Sequence, residues 1–417
     1  MKKQFISISA VGMAMASSLC AQSLFDLAPN DDQQESLPLT WTAGVNFGYD
    51  DNPTPLLGND DSSAYGQAYV GLGFLTNTPQ TTLSVGAQVG VIHYFDNLDQ
   101  PGVDVDDTSF TASLYLNWTH RVSERLRFVS QNYAAYELEP DYSTGFQSQR
   151  QTGNYFRWST DNAVGYRWSE RLATYTGIRL DGISFDDFAG GDRSTWTAYN
   201  DFRYQLSPQT VLSLSYRHAE TSGDGSVSDS SNQYILAGLE HRFSPSTSGV
   251  IRAGVQIRDV DNGSSSNSPY VEASLNTRVN EQFSLRAYGR YGIEDYSRSL
   301  TNFDAPGTPF SVYSDNNTLR VGFDATYKIS QDLSLVGGVN YAQLSYEDLQ
   351  SNTVGGVPVL GGASSVDEDL FNAYIGFNVS LSDNVTLNGR YNYEDLSSDA
   401  GRDYDRNRFS LGVSTQF

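Results

Sequence analysis

The connections in this 417-residue chain come in two kinds, and the kinds alternate. Short turns stand at TNTPQ (76–80), RVSER (121–125), RWSER (167–171), LSPQT (206–210), FSPST (243–247), RVNEQ (278–282), KISQD (328–332) and LSDNV (381–385). Between them lie longer Asp-, Ser-, Gly- and Asn-rich segments, such as 51–63, 96–107, 220–232 and 301–317. Strands joined this way run up and down with every tight turn at one end. Eight turns join sixteen strands, and further strands at 40–50 and 405–417 give 16 + 2 = 18. An even number brings both chain ends to the short-turn side. A soluble sandwich has no reason to sort its connections so, whereas barrels of the outer membrane do, with periplasmic turns and external loops. The expected fold is all-β: a transmembrane antiparallel up-and-down barrel of about 18 strands (16–18).

Periodicity inside the strands points the same way. In SGVIRAGVQIRD, Ile251, Ala253, Val255 and Ile257 take one parity, and Arg252, Gln256 and Arg258 the other. The rows Phe110 to Trp118, Leu319 to Ile329 and Phe371 to Leu381 repeat this alternation. Each is about as long as a tilted strand needs to cross hydrocarbon. An arginine turned toward lipid would cost a few kcal/mol at mid-bilayer, which fixes the register. Alternation breaks down only around Arg125 to Tyr136, and the loop at 348–367 is unusually long, so these two places bear on the strand count.

Composition agrees. Tyr (27) and Phe (21) abound while hydrophobic residues reach only 38%, which suits half-apolar strands and leaves little for helices. Aromatics fall at row ends, with Trp118, Trp168, Phe202, Phe243 and Phe283 near the turns and Tyr49, Tyr94, Tyr291, Tyr341 and Tyr391 toward the loops, as two membrane boundaries require. Lys2 and Lys3 followed by an apolar run to Ala16 and a small-residue site near Ala21 read as a signal peptide over 1–21, ahead of a periplasmic linker over 22–39 and a barrel over 40–417. Cys20, the only cysteine, falls in that leader, so the mature chain has no disulfide. The formal net charge of -23 becomes -25 without Lys2 and Lys3, which argues against nucleic acid as a partner.

The inner parity gathers Arg179, Arg203, Arg217, Arg252, Arg286, Arg290, Arg320 and Arg390 with Asp201, Glu240, Glu272 and Asp324 as lumen-lining candidates. Opposed rows of both signs would select solutes by electrostatics; alternatively they pair across strands and stiffen the wall. The motifs YGIEDYS, LSYEDLQ and YNYEDLS place carboxylates at the outer rim, either as solvated mouths or as cation bridges to lipopolysaccharide. Four histidines, His93, His120, His218 and His241, show no metal-binding spacing, and His218 near Ser215 and Glu220 is a weak basis for a hydrolase. No enzyme activity, cofactor or metal is expected.

The segments RFSPSTSGVIRAGVQIRDVDN, RVNEQFSLRAYGRYGIEDYS, KISQDLSLVGGVNYAQLSYEDL and LSDNVTLNGRYNYEDLSSD resemble the β-barrel porin 2 family of outer-membrane proteins. The resemblance covers most of 210–417 and, more loosely, the chain from about residue 40. It implies a Gram-negative outer-membrane location and a porin-like or surface-polysaccharide-associated role, with no catalytic residues. The last strand, with Phe409, Leu411, Val413 and Phe417 on one face, resembles the C-terminal signal read by the outer-membrane barrel assembly machinery. Expected partners are outer-membrane lipid, lipopolysaccharide, that machinery, and small polar solutes or polysaccharide. The expected function is a passive channel for small polar or charged solutes. The alternatives are a barrel serving exopolysaccharide export, or a structural or adhesive barrel with an occluded lumen.

Overall fold

The computed structural model describes residues 36–417 apart from 54–61, 97, 99–105, 139–153, 187–191, 225–228, 262–264, 295–298, 301–309, 355–356, 359–364 and 401–402. The proposed leader and most of the linker lie outside the described residues. The strands are β1 Leu37–Asp50, β2 Ser63–Asn77, β3 Thr81–Tyr94, β4 Thr108–Arg121, β5 Leu126–Glu137, β6 Tyr155–Arg167, β7 Leu172–Phe185, β8 Arg193–Ser207, β9 Thr210–Gly223, β10 Ser230–Ser244, β11 Thr247–Val260, β12 Ser265–Arg278, β13 Phe283–Ile293, β14 Ser299–Leu300, β15 Phe310–Lys328, β16 Leu333–Val354, β17 Val357–Pro358, β18 Ser365–Ser380, β19 Val385–Ser398 and β20 Tyr404–Gln416. Eighteen are long; β14 and β17 are two-residue additions beside β15 and β16. Each long strand pairs antiparallel with the next, and β20 returns to β1, so the sheet closes into a barrel with no free edge.

The turns explain the hairpins locally. In four of them a Ser or Asn stands at the third position, and in LSDNV Ser382 stands at the second; in all five its side-chain oxygen accepts from the backbone three residues on, where the next strand begins. Ser123 accepts from Leu126 at 3.1 Å, Ser169 from Leu172 at 3.1 Å, Asn280 from Phe283 at 2.7 Å, Ser330 from Leu333 at 3.1 Å and Ser382 from Val385 at 3.2 Å. Short polar side chains hold a tight reversal in this way without help from the rest of the fold.

Closure sorts the two parities. Ile251 is 47% exposed on the outer surface while its neighbour Arg252 is 3% exposed inside. Val45, Phe47, Leu114, Leu214, Val321, Ile375 and Leu411 make the outer wall equally apolar. At its turn-side boundary stand Trp168, Phe202 and Phe243, and at its loop-side boundary Tyr49. Tyr94 departs from the expected girdle. The outer row of β3 runs through Val85, Val89 and Val91, so the even-numbered Tyr94 points inward and is buried against Tyr65, Ile92, Leu98 and Leu138. The barrel also begins three residues earlier than expected, because Leu37 already pairs with Leu75 across a bulge. Strands β15 and β16 run on into segments expected to be loops, with Phe310 paired to Thr353.

An outer-row arginine should therefore be costly where an inner one is native. Ala253→Arg is expected to lower stability by about 2–4 kcal/mol, measured by denaturant titration in liposomes. An unchanged midpoint would mean that this row does not meet lipid.

Candidate functional site

The inner face carries all twelve of the charged residues named above, and it divides them into a dry group and a wet group. The dry group is a chain of ion pairs across β8 to β12. Arg203 donates to Glu240, and Arg252 reaches the other oxygen of Glu240 at 3.5 Å and Glu272 at 2.8 Å. Arg217 donates to the same Glu272 at 2.9 Å, and the Tyr270 hydroxyl to its second oxygen at 2.8 Å. Register makes this possible: Arg252 stands opposite Glu272 on one side and Gly238 on the other. A Cβ on Gly238 would lie 2.9 Å from Arg252 Cγ, so the glycine clears the path along which the arginine reaches Glu240.

A second group centres on the buried Glu294, just beyond β13, and the buried Arg320 of β15, with Arg290 of β13 at its wetter edge. Glu294 takes Arg290 on one side and both Nε (2.8 Å) and Nη2 (2.7 Å) of Arg320 on the other, satisfying two cations that stand directly opposite each other. Beside it Gln256 bridges strands by donating to Asn232 Oδ1 at 2.8 Å and accepting from the Ile293 amide at 2.9 Å. Glu294 and Glu394 come from two of the recurring Tyr-x-x-Glu-Asp motifs. Both are buried inside, Glu394 accepting from Tyr404, so the expectation that they form solvated mouths is corrected: even numbering turns them toward the neighbouring Arg and Tyr. Glu347 of the third motif is exposed.

The wet group stays in contact with solvent inside the sealed wall. Arg179 lies 3.2 Å from Asp181, both of them substantially exposed. Asp201 is half-buried. Arg286 stands opposite Asp324, Tyr374 donates to Asp324 at 2.8 Å, and the guanidinium of the exposed Arg390 lies 4.1 Å from the Tyr374 ring. A cation over a ring face beside a carboxylate keeps both charges in place and accessible.

Tyrosine rings line the wall between these groups. Tyr69 stands opposite Gly44, Tyr199 opposite Gly177 and Tyr374 opposite Gly338. A Cβ at those glycines would come within 2.5, 2.5 and 2.6 Å of the ring, so each tyrosine lies flat on the backbone of the neighbouring strand. The flat ring carries its hydroxyl to the strand beyond, as where Tyr199 donates to Asp161 at 2.6 Å.

The histidines take no part. All four lie on outer rows beside an aromatic: His93 with Phe95, His120 with Trp118, His218 with Trp196 and His241 with Phe243. Ser215 points inward and His218 outward, so the strand itself separates the two groups that a hydrolase would need together. Among the described residues no three His, Cys, Asp or Glu side chains come together as a metal site.

Sequence reasoning also missed the seam. Asp50, read as the end of the first strand, and Asp51, read as the start of a loop, join β1 to β20: Arg406 Nε donates to Asp50 Oδ1 at 2.9 Å, Arg408 approaches Oδ2 at 3.7 Å, and Asn407 donates twice to Asp51. At the turn side Trp41 and Phe417 exchange backbone hydrogen bonds of 2.7 and 2.9 Å, so the last residue completes the cylinder. Phe409, Leu411, Val413 and Phe417 all face outward.

Comparison with known proteins finds no match among curated sequences. Among solved structures the chain is similar to OccAB4 of Acinetobacter baumannii (TM-score 0.46, 13% identity, 93% of this chain and 100% of that one). It is similar also to OpdK of Pseudomonas aeruginosa, solved with vanillate (0.46, 13%, 91% and 98%), and to OccK2 of the same organism, in complex with glucuronate (0.46, 11%, 92% and 100%). Residues 244–417 match the family model described as the outer membrane protein beta-barrel domain, and the whole described chain has the closed 18-stranded antiparallel barrel fold.

Proposed function

We propose that this barrel is a porin-like passive channel for small polar or charged solutes. The observation that carries the reading is the wet charge group: a closed wall, apolar outside, keeps Arg390, Arg286 and Asp324 in contact with solvent within it. Arg179 and Asp201 extend the same lining along β7 and β8. Fixed charges of both signs around an aqueous passage sort permeant ions by field rather than by chemistry. Arg203, Arg252, Glu240, Glu272 and Arg320 do other work, since their partners hold them in the wall. The C-terminal face of Phe409, Leu411, Val413 and Phe417 would serve earlier, as the assembly signal.

Single-channel recording in planar bilayers tests the proposal. Arg286→Ala and Arg390→Ala should each move the reversal potential in a salt gradient toward cation preference, and Asp324→Ala should move it toward anion preference. Opposite signs from opposite charges are required. A barrel that passes no current, or one whose selectivity ignores all three substitutions, would end the channel reading.

A further inference from the structure

Across the middle of the outer rows, the described residues are apolar except on one face. On β5 and β6 the outer rows run Phe128, Ser130, Asn132, Ala134, Tyr136 and Phe156, Trp158, Thr160, Asn162, Val164, Tyr166. Aromatic residues stand at both ends, and between them are four polar side chains. The corresponding stretch of β11 reads Ile251, Ala253, Val255, and that of β20 reads Phe409, Leu411, Val413. This is where alternation in the sequence breaks down, yet β5 is a regular strand, so the polar residues occupy the row that meets lipid.

Those four side chains form a closed ring. Ser130 donates to Asn162 Oδ1 at 2.7 Å, Asn162 to Thr160 at 2.8 Å, Thr160 to Asn132 Oδ1 at 2.7 Å, and Asn132 back to Ser130 at 2.9 Å. Next to the ring, across Val164, the outer rows of β7 and β8 place Thr176 opposite Asn200, which donates to it at 2.5 Å. Asn162 and Thr176 are exposed. Asn132 spends its second N–H on the Leu116 carbonyl at 3.3 Å, but each amide has two donor hydrogens and each oxygen two lone pairs, so the second N–H of Asn162 and the remaining lone pairs of the ring oxygens are capacity the ring itself leaves unspent. Hydrocarbon offers nothing to take it up, and polar groups facing lipid are costly there.

We infer that the outer face of β5 to β8 is the surface on which a second copy of this chain packs within the membrane. The occupant follows from the chemistry. Ser, Thr and Asn both donate and accept and carry no charge, so this patch is its own complement, which an isologous two-fold contact requires. Small hydroxyl residues let two walls approach closely, and Ala134, Val164 and Ile178 around them supply an apolar rim. Lipid tails satisfy none of these groups, and an anionic headgroup would call for cations that the patch does not have.

The test uses the full-length barrel with Cys20→Ser, which removes its only cysteine. Val164→Cys, beside the ring, should cross-link in outer membranes with a short bifunctional maleimide to a species of twice the chain mass. The yield should be at least about tenfold above that of Ile251→Cys on β11, five strands further around the outer wall. A second measurement guards against misfolding: Ser130→Ala, Asn132→Leu, Thr160→Val and Asn162→Leu together convert the patch into an ordinary lipid row. That variant should keep its heat-modifiable gel migration and run as a monomer by native mass spectrometry, where the unaltered chain runs as a dimer. A monomeric unaltered barrel, with or without bound lipid, overturns the inference. So do equal cross-linking at both cysteines, an adduct with a different protein, or a dimer that survives the fourfold substitution.

Discussion

Glu240→Gln is expected to destabilise the barrel by about 3–5 kcal/mol, because it leaves two buried guanidinium groups without their shared carboxylate. Arg203, Glu240 and Arg252 are each 3% exposed, so water cannot take the place of the lost partner. The sign depends on which side is removed. Changing all three to Leu or Met together deletes the charges along with the pairing and should recover most of the loss, since well-packed apolar groups often match a buried ion pair. Denaturant titration in liposomes, followed by tryptophan fluorescence or gel mobility, reads both variants. A loss under about 1 kcal/mol for Glu240→Gln would show that these groups are hydrated in the membrane and belong to the wet lining instead.

That division between wet and dry charges marks the limit of what the sequence reveals. Period-two alternation is a property of each strand alone, so Arg252 could be assigned to the inside from its neighbours Ile251 and Ala253. Connection length likewise depends only on local composition, which is why eighteen strands were legible. Whether Arg252 meets solvent or Glu240 depends on which residue of β10 lies beside it, and that is set by the stagger between strands. The same stagger puts Gly44 under Tyr69 and Asp50 beside Arg406, contacts between residues that nothing in the linear order relates. Arg203 and Arg390 therefore look alike in sequence, one buried in an ion pair and the other exposed over a ring. The break in alternation near Arg125 to Tyr136 was visible as an anomaly. Its meaning was not, because Ser130 and Asn162 come together only once β5 pairs with β6.

Stagger has its largest consequence at the seam, where the chain must close on itself over nearly its whole length. Eight turns bring neighbouring hairpins together by short-range folding, but nothing local brings β1 to β20, and closing so long a loop costs entropy before any contact repays it. Asp50, fully buried, takes Arg406 and Arg408 together at the loop end of that seam. Asp50→Ala removes the acid and leaves Arg406 buried beside β1, so it should cost about 3–5 kcal/mol in the folded barrel. Asp51→Ala, one residue along and on the opposite, partly exposed face, loses only the hydrogen bonds from Asn407 and should cost about 1 kcal/mol. Heat-modifiability midpoints of the two variants in detergent measure the difference. Folding yield into liposomes adds a kinetic readout: if the pair forms as the cylinder closes, Asp50→Ala should slow the appearance of the compact gel band as well as lower its melting point. Slower folding with an unchanged midpoint would place the interaction in the assembly intermediate alone, and equal effects from both aspartates would mean that burial does not set the strength of the seam.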